Sequence, residues 1–167
     1  AITLTTSSTP AQLAIAERIA AAWNALGITT TINTIESSKI KREIIKPRNY
    51  EVILFSLKTD DTKDPYLFWH SSQREWPGLN LSLFADAKAD ALMTEARTIQ
   101  NQETRQKKYK ELAEILNKEL PAIMLWNYRY TYLISSSFSG ITLQGLSSTQ
   151  DRFSRVSEWY TKQKRSW

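Results

Sequence analysis

Residues 49–72 read NYEVILFSLKTDDTKDPYLFWHSS, and the two halves of this stretch ask for different structures. Val52, Ile53, Leu54 and Phe55 form an unbroken apolar run between polar residues, the pattern of a strand covered on both faces in a parallel sheet. Lys58, Asp60, Asp61, Lys63 and Asp64 then crowd five formal charges into seven residues, ahead of Pro65 and the aromatics Tyr66, Phe68 and Trp69. Open α/β sheets bind ligands beyond the carboxyl ends of their strands, so a charged loop in this place is a candidate ligand contact. Asp64 before Pro65 also has the form of a helix N-cap followed by proline at the first helical position, which would engage that carboxylate locally.

Upstream, the pattern alternates between strand and helix. Residues 2–6 are β-branched, and Thr9-Pro10 opens a helix whose apolar stripe is Leu13, Ala16, Ile19, Ala20, Trp23 and Leu26, ended at Gly27. Residues 28–35 are threonine- and isoleucine-rich and predict a strand. Glu36, Ser37 and Ser38 begin a short helix carrying Ile40, Ile44 and Ile45 and stopped by Pro47. Strand, helix, strand, helix, strand makes two βαβ units and hence a parallel sheet. The expected class is α/β, a mainly parallel sheet flanked by helices.

Downstream, residues 71–87 read as a connecting loop with a Pro77-Gly78 turn and an exposed Trp76. Of Trp69, Trp76 and Trp126, two are expected in the core. Two helices follow, over residues 87–99 with Leu92, Ala96 and Ile99, and over 103–120 with Tyr109, Leu112, Ile115, Leu116 and Leu120. Residues 122–126 and 130–134 predict strands, and the serine-rich 135–150 a linker or irregular surface segment.

The chain of 167 residues has room for one full core or one large lobe of something bigger. Its zero cysteines exclude disulfides, thiolate catalysis and Cys-ligated zinc. No apolar run approaches the roughly 18 residues of a membrane span, and the first ten residues lack the regions of a signal peptide. Net charge is +5, and Arg152, Arg155, Lys162, Lys164 and Arg165 against Asp151 and Glu158 place more than half of it in residues 151–167. That basic end, with Trp159, Tyr160 and Trp167, keeps a nucleic-acid or anionic-surface binder open as an alternative, though no nucleic-acid-binding motif is spelled out.

Catalysis finds no complete set of residues. Asp60, Asp61 and Asp64 lack the alternating oxygen ligands and the bend glycine of a calcium loop, so neither a metal nor a cofactor is expected. A carboxylate dyad for hydrolysis needs facing elements, which one loop does not supply. His70, the only histidine, has no GxSxG nucleophile to serve and reads as a capping or surface residue. The four glycines form no phosphate loop.

Several segments, in order, carry a resemblance across essentially the whole chain: LTTSSTPAQLAIAERIAAAWNALGITTTINTIE, NYEVILFSLKTDDTKDPYLFWHSSQ, GLNLSLFADAKADALMTEART, YKELAEILNKELPAIMLWNYRYTYLIS and EWYTKQKRSW. Together they resemble the C-terminal part of extracellular solute-binding proteins of peptide-type ABC importers, the family 5 group of dipeptide-, oligopeptide- and nickel-binding proteins. The resemblance implies a non-enzymatic bacterial protein of two α/β lobes that close on a ligand outside the membrane and deliver it to an ABC permease. Residues 1–122 would be the second lobe. Residues 123–167 would be hinge-return strands and a tail that packs on the missing first lobe or, lacking it, on a neighbouring copy. In peptide-binding members an aspartate just ahead of the Asp-Pro pair receives the peptide ammonium; the matching position is Asp61, with Asp60 beside it. Lys58 stands where those members tend to carry tryptophan, which points toward an anionic ligand group. The segment with Trp76, Asn80 and Ser82 matches one that faces the cleft, and completes the implied ligand-binding set.

Overall fold

The computed structural model describes residues 1–57, 64–126, 131–142 and 149–161. They fall into two compact units: the first takes in residues 1–57 and 64–122, and the second holds the described residues from Ile123 onward.

The first unit is built on a parallel three-stranded sheet, in the order β2-β1-β3. Its strands are β1 (Ile2–Ser7), β2 (Thr30–Ile35) and β3 (Val52–Ile53). β1 runs in register with β2 from Ile2↔Thr30 to Ser7↔Ile35, and with β3 through Leu4↔Val52 and Thr5↔Ile53. Helix α1 (Pro10–Ala25) joins β1 to β2, and α2 (Ser37–Ile40) continues as a π-helical turn (Lys41–Ile45) toward β3. Two βαβ units and a parallel sheet are therefore present, as the alternation of patterns requires.

The buried strand is β1, not the apolar run. Leu4, Thr5 and Thr6 are sealed, whereas Phe55 and Leu57 are exposed and β3 lies at the sheet edge. Threonine suits the centre because its β-branched body packs while its hydroxyl finds a partner. Thr6 Oγ1 donates to the Leu54 carbonyl at 3.1 Å, and Asn33 Nδ2 reaches Thr5 Oγ1 at 3.5 Å. Apolar composition alone does not separate a central strand from an edge strand when the crossover order is unknown.

α1 seats Ala16 and Ala20 fully against the sheet, small residues that allow close approach, while Leu26 is 77% exposed and falls off the stripe. Gly27, at φ 82, ends the helix in the left-handed conformation that glycine adopts at low cost. β2 begins at Thr30 rather than Ile28 because the Ile28 N–H is still closing the helix on the Trp23 carbonyl.

The second layer of this unit is helical: α3 (Tyr66–Trp69), α4 (Ala87–Thr98) and α5 (Gln102–Glu119). Ala89, Leu92 and Met93 of α4 and Leu112 of α5 form its centre, ringed by Tyr66, Trp69, Phe84, Tyr109, Ile115 and Leu116. Asp86 caps α4 through the Ala89 N–H at 2.7 Å, and Asn101 caps α5 through the Thr104 N–H at 3.0 Å. Leu120, left-handed and two-thirds exposed, closes α5 ahead of Pro121 instead of joining the core.

In the second unit the expected strands do not form: the described residues 122–126 and 131–134 pair with nothing as strands. A strand needs a ladder partner as well as an apolar pattern, and none is offered to them here. The serine-rich stretch expected to be a linker instead contributes β4 (Phe138–Ser139), antiparallel to β5 (Tyr160–Thr161). Trp126, one of two tryptophans expected in the core alongside Trp69, is half exposed.

Candidate functional site

β3 leads into the charged segment, of which Lys58, Asp60 and Asp61 lie outside the described residues. The frame that follows is described from Asp64 onward. Asp64 Oδ1 accepts the Tyr66 N–H at 3.0 Å, so its carboxylate starts α3 as the Asp-Pro pattern requires. Its Oδ2 pairs with Arg97 of α4 at 3.1 Å, and the Arg97 guanidinium covers the Tyr66 ring at 4.4 Å.

The other end of α3 is tied by His70. Its ring stacks on Tyr66 at 4.1 Å, and Nδ1 accepts the Ser72 N–H at 3.1 Å, capping the 3₁₀ turn (Ser71–Gln73). Asp90 of α4 accepts the Ser71 N–H at 2.9 Å and the Ser71 hydroxyl. Asp90 and Arg97 stand two turns apart on one face of α4, and from that face they hold both ends of α3. Their seven-residue spacing was the signal that would have found them from sequence.

The loop beyond is pinned by residues just before β3. Arg48, itself at φ 56, donates from Nε to the Arg74 carbonyl at 2.8 Å and from Nη2 to the Gly78 carbonyl at 2.7 Å. Tyr50 donates to the Leu81 carbonyl at 2.6 Å, and its burial pushes the phenol's pKa above the ordinary tyrosine value. Gly78 sits where an added Cβ would lie 2.2 Å from the Gln73 carbonyl oxygen, so the loop closes on its own backbone.

Three expected ligand contacts lie in this loop, and they diverge. Trp76 is exposed, with the Lys41 ammonium 5.1 Å from its ring centroid. Asn80 is fully buried and serves its own chain. Its Nδ2 donates to the carbonyls of Trp69, His70 and Phe84, and its Oδ1 accepts from the Phe84 N–H and the Ser82 hydroxyl, each at 3.1 Å. In this structure Asn80 is thus a loop-organising residue without access to a ligand, and the half-buried Ser82 points its hydroxyl at Asn80. Polar residues inside an apolar run signalled either a site or a satisfied core amide, and the carbonyls converging here decide for the amide.

Among the described residues there is no group of three or more potential metal ligands, and no helix is long and apolar enough to cross a membrane.

A parallel α/β sheet with helices on its faces, extended by a charged loop, is the fold of a periplasmic-binding-protein lobe. Solved structures of family 5 solute-binding proteins share it. The oligopeptide-binding protein AppA of Bacillus subtilis, in complex with a nonapeptide, matches 97% of this chain with a TM-score of 0.70 at 20% identity. The murein tripeptide-binding protein MppA of Escherichia coli matches 84% with a TM-score of 0.69 at 22% identity. NikZ of Campylobacter jejuni, in complex with Ni(L-His), matches 96% with a TM-score of 0.64 at 20% identity. This chain spans 32%, 27% and 33% of their respective lengths, so what it shares is the fold of about a third of each. No family model matches the sequence, and no curated protein matches it.

Proposed function

We propose that this chain is the second lobe of a two-lobed extracytoplasmic solute-binding protein, which captures a short peptide or similar solute and hands it to an ABC permease. The observation that carries the reading is the near-complete match of this chain to a limited part of AppA, a protein solved with a peptide bound. The α3–α4 frame supports it: Asp64 is engaged by Tyr66 and Arg97, which leaves Asp60 and Asp61 as the carboxylates of the loop free of that capping duty. Asp61 is the proposed contact for a ligand ammonium, and Lys58 for a ligand carboxylate. The lobe supplies half of a cleft and no catalytic group, because capture needs only complementary charge and exclusion of water.

The test is calorimetric titration of short peptides into the two-lobed protein and into this chain alone. Binding to the first that barely changes with salt, with none to the second, is the expected result. Affinity of either for nucleic acid that falls steeply with salt would instead favour an anionic-surface binder acting through the basic end.

A further inference from the structure

The second unit buries none of its described residues, 123–126, 131–142 and 149–161, apart from Thr149, on whose side chain nothing rests. Its aromatic rings do gather: Phe153 meets Tyr132 at 6.4 Å and Trp159 at 5.9 Å, and Phe138 meets Trp159 at 6.4 Å. Around them large apolar side chains stand in solvent, with Leu133 89%, Met124 75%, Ile123 71% and Val156 51% exposed. Monomeric proteins seldom leave this much aliphatic and aromatic surface together.

The same region is almost without charge. Residues 120–150 contain one formal charge, Arg129, in a chain of which 23% is charged. β4 and β5 form a sheet of only two strands, and β4 carries neither a charge nor a proline to discourage pairing at its edge. A net charge of +5 makes copies repel over most of their surface, whereas here two copies meet with no like charges to oppose them.

We propose that this surface docks a second copy of this chain, forming a symmetric dimer in which the uncharged residues 131–142 lie at the contact. The proposal goes beyond the solute-binding reading and does not rest on it. A stable contact needs about 800 Å² from each partner, and half a dozen large apolar side chains exposed to this degree present an area of that order.

The test is sedimentation velocity of the whole chain from about 1 to about 100 µM, at low and at high salt. The expected result is a dimer by the upper end that persists at high salt, because apolar contact is not screened. Leu133→Glu and Phe138→Glu, which set like charges against each other across the symmetry axis, should each raise the dissociation constant tenfold or more. Leu26→Glu, at an exposed site of the first unit, should leave it unchanged. Unchanged far-ultraviolet circular dichroism shows that the variants fold, and hydrogen exchange of the wild-type chain gives an independent reading: residues 131–142 should gain protection as concentration rises. A monomer throughout overturns the proposal and leaves the surface to a different polypeptide. A dimer indifferent to both glutamates, or one that salt dissolves, overturns it as well.

Discussion

The Arg97 guanidinium pairs with the Asp64 carboxylate at 3.1 Å while lying 4.4 Å over the Tyr66 ring, so a single side chain of α4 fixes both the cap and the first residue of α3. Both partners keep substantial contact with solvent, which limits what the ion pair contributes. Arg97→Ala should therefore cost only about 1 kcal/mol, part from the pair and part from the ring contact, and Arg97→Lys about half of it. Urea unfolding followed by circular dichroism measures both; a loss far above that scale would mean that Arg97 does more than these two contacts describe.

Asn80 is a different case, because its burial is complete and its amide holds three carbonyls. Asn80→Ala should destabilise the chain by roughly 2–4 kcal/mol through the carbonyls it leaves unpaired. The same urea midpoints check it, and a cost below about 0.5 kcal/mol would show that water replaces the amide.

Gly78→Ala places a methyl group against the backbone of Gln73, where no side chain can swing aside. We expect a loss of about 1–3 kcal/mol together with a shift in the fluorescence of the neighbouring Trp76. An unchanged spectrum and midpoint would show that the loop opens without cost.

Glu51 accepts the Thr3 N–H at 2.6 Å, and hydrogen bonding from Thr3 holds its carboxyl below the usual carboxylate range. Folding thus favours the ionised form. The contribution is fully present above the ordinary glutamate value and is lost as pH falls through the lower folded value. Glu51→Gln should flatten the acid side of the stability profile between about pH 5 and pH 3, read as urea midpoint against pH; identical slopes for the two proteins would contradict the assignment.

The sheet was legible in the sequence because strand and helix periods alternate cleanly from Ile2 to Ile53, and Ala16, Ala20, Leu92, Ala96 and Leu112 fell where those periods put them. Sequence did not tell which strand is central: the most apolar run became the edge, while ITLTTS, rich in threonine, took the middle by virtue of strand order. Asp64 as a cap and His70 as a capping residue followed from local rules that act within a few residues. Asn80 did not, since its role depends on carbonyls of Trp69 and His70 brought back by the fold. The strands expected at 122–126 and 130–134 failed for the same reason in reverse, their pattern being local and their pairing partner absent.

The account turns on a cleft carboxylate at Asp61, and the direct test is calorimetry of an amine-bearing peptide with the two-lobed protein and its Asp61→Asn and Asp60→Asn variants. A charge-assisted bond to a partly buried carboxylate contributes about 1.5–3 kcal/mol, so Asp61→Asn should weaken binding roughly ten- to a hundredfold while Asp60→Asn changes little. Equal and negligible effects of the two substitutions would contradict the account, and a loss on Lys58→Ala in their place would turn the site toward an anionic ligand group.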